Sequence, residues 1–109
     1  MNDLQQQKNE LLEYGVNIDQ NQIKGINVAP YISEIIFRLW QDKNHFVSRE
    51  TIIEIRQKYY RRKNYGRNIS PEISRIIKLI NKIFTEQQIP LTLVSASGVI
   101  MLYDEEIKR

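Results

Sequence analysis

The sequence predicts an α+β fold, mainly helical with a small β component. Three stretches between residues 30 and 87 carry apolar residues at helical spacing. After them, two apolar runs flank Ala96-Ser97-Gly98 in the manner of a β-hairpin. Looser alternation over Tyr14–Val28 adds one or two short strands ahead of the helices.

Taken in chain order, residues 1–13 read as a short helical extension whose only anchors are Leu4, Leu11 and Leu12. In Tyr14–Val28, the residues Val16, Ile18, Ile23, Ile26 and Val28 alternate with polar ones, and Asp19-Gln20-Asn21 supplies a turn. The first core helix is expected from Pro30 to about Asp42, with Ile32, Ile35, Ile36, Leu39 and Trp40 on one buried face. A proline suits a first helical position, where its missing donor costs nothing. Ser48 caps the second helix, Glu50 faces its N-terminal dipole, and Ile52, Ile55 and Tyr59 share a face as far as about Tyr60.

The loop RRKNYGRN spans 61–68. Ser70-Pro71-Glu72 then opens the third helix with a cap, a proline and an acid. Ile69, Ile73, Ile76, Ile77, Ile80, Ile83 and Phe84 fall on one side of it, and Arg75, Lys78 and Lys82 on nearly the opposite side. Ile89-Pro90 closes the helix, Leu91–Ser95 and Val99–Tyr103 form the hairpin, and 104–109 is a charged tail.

The totals narrow the function classes. A length of 109 residues fits one domain able to bury a core unaided. The absence of cysteine excludes disulfides, thiolate zinc sites and a thiol nucleophile. No apolar run nears the roughly 18 residues that span a bilayer, and the polar start MNDLQQQKNE has no signal-peptide stretch, so a cytoplasmic setting is expected. His45 is the single histidine and has no companions at metal-ligand spacing, so it reads as structural. There is no nucleophile–base pair and no glycine-rich phosphate loop; neither catalysis, a cofactor nor a metal is expected.

Charge placement is the informative quantity. Ten basic residues against three acids give +7 between Arg49 and Lys82, leaving −4 for the remainder of a chain whose net charge is +3. That asymmetry is the footprint of a polyanion-binding face. Its candidate members are Arg61, Arg62, Lys63 and Arg67 in the loop, as phosphate clamps, and Ser74, Arg75, Lys78 and Lys82 on the outer face of the third helix. The Trp40 and isoleucine stripes are core by their periodicity.

Three helices closed by a hairpin is the order of a winged helix-turn-helix, whose third helix enters the major groove while the hairpin, or wing, touches the backbone. Three stretches, FVSRETIIEI, NISPEISRIIKLINKIF and IPLTLVSASGVIML, resemble the second helix, recognition helix and wing of the DNA-binding effector domains of OmpR/PhoB-type response regulators. Upstream, NQIKGINVAP and YISEIIFRLW resemble that family's strand and first helix, which extends the likeness to about residues 16–103. The resemblance implies double-stranded DNA as partner, residues 70–87 as recognition helix, Ser74, Arg75 and Lys78 as its contacts, and 61–68 as the loop touching backbone or polymerase. The sequence departs from the family in two places. The turn Ser95–Gly98 lacks the arginine often found there, and Ile77 stands where the family usually has arginine. No phospho-acceptor receiver segment is read here.

Two other readings compete with DNA recognition. The uncharged hairpin LTLVSASGVIML suits a protein-interaction module that pairs edge to edge with a partner strand. The aromatic and basic run 59–67 suits RNA, through stacking on exposed bases. A homodimer is expected for a reader this small, with Leu4, Leu11, Leu12 and Tyr14 as candidate contacts.

Overall fold

The computed structural model describes residues 3–59 and 70–105, with side chains of the second stretch from Glu72 onward. Its elements run α1 (Asp3–Glu13), β1 (Val16–Asn17), β2 (Gln22–Ile23), β3 (Ile26–Asn27), α2 (Pro30–Gln41), β4 (Phe46–Ser48), α3 (Arg49–Tyr59), α4 (Ser70–Glu86), β5 (Leu91–Ala96) and β6 (Val99–Asp104). The described residues thus form an α+β fold, with four helices and two antiparallel three-stranded sheets, ordered β1-β2-β3 and β4-β6-β5. No described helix is long and apolar enough to cross a membrane.

The aliphatic stripes read from the sequence meet in one core. Ile32, Ile35, Ile36 and Leu39 of α2, Ile52 and Ile55 of α3, and Ile73, Ile76, Ile80 and Phe84 of α4 are all buried, together with Leu91, Leu93, Ile100 and Leu102 from the second sheet. Ile77 and Ile83 pack against that cluster from its margin. Ile69 lies outside the described residues.

Four expectations need correction. First, the N-terminal helix is present as α1, but of its three expected anchors only Leu11 is buried, while Leu4 and Leu12 are each 47% exposed. Second, Trp40 is only partly buried, because its indole N–H donates to Glu10 Oε1 at 2.8 Å. Tyr14 meets the ring edge-on at 5.6 Å and His45 stacks on it at 4.7 Å. An aromatic ring with a polar handle sits at a boundary for this reason. Third, Tyr59 is not on the buried face of α3 but 40% exposed, with its hydroxyl on Glu34. Fourth, Phe46–Ser48, grouped with the second helix in the stretch FVSRETIIEI, instead forms β4, paired with β6 as Phe46↔Met101, Val47↔Ile100 and Ser48↔Val99.

Local chemistry explains the element ends. Pro30 occupies the start of α2 without a side-chain cap. After α2, the Asp42 carboxylate accepts the backbone N–H groups of Asn44 at 2.9 Å and Phe46 at 3.1 Å and turns the chain into β4. Those two bonds hold its carboxyl below the ordinary value. His45, at φ 60°, closes the turn with Nδ1 3.1 Å from the Leu39 carbonyl. Ser48 caps α3 as expected, accepting the Thr51 N–H at 3.2 Å. The end of α4 is set before Pro90: Gln88 takes φ 59° and the Ile89 N–H reaches back to the Phe84 carbonyl at 2.8 Å, a Schellman closure. The hairpin turn is the pair Ser97-Gly98, at φ 54° and 78°, as a two-residue type I′ turn requires.

β5 is an edge strand, and that edge is covered. Leu93 pairs with Leu102 without hydrogen bonds between them, so its N–H and C=O point away from β6. Asn81 of α4 takes both: Leu93 N–H donates to Asn81 Oδ1 at 2.7 Å, and Asn81 Nδ2 donates to the Leu93 carbonyl at 3.0 Å. One side chain therefore docks α4 on the sheet and blocks strand addition at mid-edge. Asn81→Ala strands both groups in a part-buried setting. Chemical denaturation should show a loss of about 1–3 kcal/mol; a neutral result would mean that water replaces the amide without cost.

Candidate nucleic-acid interface

The candidate surface is the solvent side of α4. Because Ile73, Ile76, Ile80 and Phe84 point inward, residues half a turn away point outward. Ser74, Arg75, Lys78 and Lys82 are all exposed. The three cations recur at i, i+3 and i+7, one stripe about 10 Å long at the α-helical rise. Leu79 lies beside them, 41% exposed, an apolar neighbour that charge reasoning overlooked. Ile77 packs against the core, as its residue type demands.

The cations differ in their partners. Arg75, with its side chain 77% exposed, has Nη1 3.6 Å from Glu72 Oε1 one turn earlier. Glu72 is held elsewhere: Arg56 Nε and Nη2 approach its Oε2 at 3.0 and 2.9 Å. The Arg56 guanidinium in turn lies 4.6 Å from the centre of the Tyr31 ring. The chain Tyr31–Arg56–Glu72 thus ties the first turns of α2 and α4 to α3. Glu72 keeps a strong partner if Arg75 swings away to a phosphate. Lys78 and Lys82 have no ion pair among the described residues.

The proposed phosphate clamps Arg61, Arg62, Lys63 and Arg67 lie outside the described residues, as does most of the aromatic and basic run 59–67. The anchor at its near end is described. Glu34 of α2 accepts Lys58 Nζ on both oxygens, at 3.0 and 3.1 Å, and the Tyr59 hydroxyl at 2.7 Å, with Arg38 at 4.0 Å. Burial pushes the Glu34 carboxyl up, but the hydrogen bonds from Tyr59 and Lys58 and the charges of Lys58 and Arg38 outweigh it and hold it below the ordinary value. The same bond, with burial, raises the Tyr59 hydroxyl. Only Arg38 is a sequence-local partner of Glu34; the closer two, Lys58 and Tyr59, stand 24 and 25 residues away, so the sequence does not mark Glu34 as a hub.

This sorting refines the charge count. Arg56 and Lys58 are spent on Glu72 and Glu34. A shallow cavity of about 280 Å³ beside Glu34 is rimmed by Lys8, Arg38 and Lys58. There too, Lys8 is paired with Asp19 at 2.8 Å and the other two cations with Glu34, so the cavity offers no open anion site. Lys24 and Lys43 are exposed in turns without an ion pair among the described residues, and α4 is the described helix that gathers three exposed cations on one face. The uncharged tip of the hairpin has exposed Ser95 in β5 and Ser97 in the turn, hydroxyl donors suited to backbone contact. Compared with known proteins, the chain matches no family model, no curated protein and no solved structure.

The Glu34 anchor has a pH signature. Its folded value lies below the unfolded one of about 4.3, so its stabilisation is present above that pH and drains away as pH falls through the folded value. Glu34→Gln should therefore flatten the acid limb of stability against pH below about pH 5, measured by urea unfolding. An acid limb as steep as the parent's would show that the anchor carries no linked protonation.

Proposed function

We propose that the chain is a winged-helix DNA-binding protein that inserts α4 into the major groove and reads duplex DNA as a transcriptional regulator. The observation that carries this reading is the division of α4 into a buried isoleucine face and an exposed face bearing Arg75, Lys78 and Lys82. The element order supports it: α2, α3 and α4 are three consecutive core helices closed by the β5–β6 hairpin, and β4, between the first two, completes the hairpin's sheet.

The mechanism is electrostatic docking followed by reading. Lysines displace counterions from phosphates as mobile point charges, whereas an arginine fork can take a guanine edge or a phosphate. Arg75 is the candidate reader, since Glu72 holds it near the start of α4 without tying it down. Ser74 stands beside it to bond a base or phosphate. Arg61, Arg62, Lys63 and Arg67 would extend the phosphate contacts, and Ser95 and Ser97 at the hairpin tip would meet the flanking backbone.

Anisotropy of a labelled duplex across a salt series tests this. The parent's log Kd should rise with log salt by about 0.9 per phosphate engaged. Replacing Arg75, Lys78 and Lys82 together by glutamine should lower that slope by up to about 2.7 and weaken binding at every salt concentration. Because all three are exposed, thermal stability should stay near the parent's. Salt-insensitive binding, no duplex binding, or clear preference for single-stranded RNA would overturn the reading.

A further inference from the structure

One exposed side chain of α4 has no electrostatic role. From Glu72 onward the exposed residues of the helix are Ser74, Arg75, Lys78, Leu79, Lys82, Thr85 and Glu86, and Leu79 alone among them is apolar. Ile77 and Ile83 pack at the margin of the core, whereas Leu79 takes no place in that cluster. Its inner side borders a shallow, open cavity with Val28, Ala29 and Ile83, so no described element covers it. Arg75, Lys78, Leu79 and Lys82 recur at i, i+3, i+4 and i+7, the spacing that sets four side chains on one helical face. The cationic stripe thus has an aliphatic group in its middle.

Against a duplex, the cations of such a stripe find phosphates, but an aliphatic side chain gains nothing from a phosphate. The apolar partner displayed in the major groove is the C5 methyl of thymine. We infer that Leu79 is a specificity residue that meets the methyl of a thymine close to the base pair taken by Arg75. The inference rests on α4 as the recognition helix and names what that helix selects. Arg75 and Leu79 stand four residues apart, which is about 6 Å along the helix axis. Bases of one strand lie about 3.4 Å apart, so the two side chains address bases about one or two steps from each other. An arginine fork fits the O6 and N7 of guanine. The preferred target therefore holds a thymine within about two base pairs of a guanine.

The four side chains divide the work. Lys78 and Lys82 position the helix through phosphates, which carry no sequence information. Leu79 adds no charge, so it decides which sequence is bound without altering how binding responds to salt. Its discrimination is modest: burying one methyl group is worth about fourfold in affinity.

In vitro selection of random-sequence duplexes by the full chain, followed by anisotropy on the enriched duplex, tests the inference. The enriched site should hold a thymine within about two base pairs of a guanine. Exchanging that thymine for deoxyuridine, which removes only the methyl, should weaken the parent about fourfold. Leu79→Ala should bind both duplexes alike, and Leu79→Met should keep the preference for thymine. Both variants should retain the parent's salt slope and thermal midpoint, which a general disturbance of α4 would shift. No enriched site, an enriched site without that thymine, a parent indifferent to the exchange, or a Leu79→Ala variant that still discriminates would overturn the inference. Each of those results leaves salt-dependent duplex binding, and with it the DNA-binding reading, standing. A parent chain that binds no duplex would overturn both.

Discussion

Burial of the isoleucine stripe of α4 is the constraint on which the rest of the molecule depends. Ile73, Ile76, Ile80 and Phe84 occupy the centre of the core, each at most 4% exposed. Burying a side chain of this size is worth about 1.5–3 kcal/mol, a large share of the stability of a chain this short. Once that stripe faces inward, helical geometry leaves no choice for the residues opposite. Arg75, Lys78 and Lys82 must stand in solvent, and Asn81, between the two faces, must meet β5. The exposed cationic stripe of α4 is thus a consequence of packing.

Carboxylates then decide which cations remain available. Glu72 and Glu34 each hold cations of α3, and each ties α3 to a neighbouring helix. By engaging Arg56 and Lys58 they turn part of the basic segment into scaffolding around the two ends of residues 60–69. The same pairing leaves Arg75 with the other oxygen of Glu72, at the longer distance of 3.6 Å. Charge summed along the sequence counts all of these alike; the fold separates those that build from those that face outward.

Much of this was legible from residue spacing alone. The stripes of α2 and α4, the Ser48 cap and the hairpin turn follow from periodicity and turn chemistry, which act over a few residues. What escaped depends on partners distant in sequence. Three-residue β4 exists because β6 lies beside it, Leu11 is core because β1 folds back over α1, and Tyr59 leaves the buried face because Glu34 bonds its hydroxyl.

In the proposed function, nucleic acid meets the protein at the outward face of α4. Titrating a duplex into isotopically labelled protein and following backbone and side-chain resonances tests this most directly. The largest shifts should fall on Ser74, Arg75, Lys78 and Lys82, with the outer face of the β4-β6-β5 sheet silent. Shifts confined to α1 or the sheet's outer face, with α4 unmoved at saturating duplex, would contradict it.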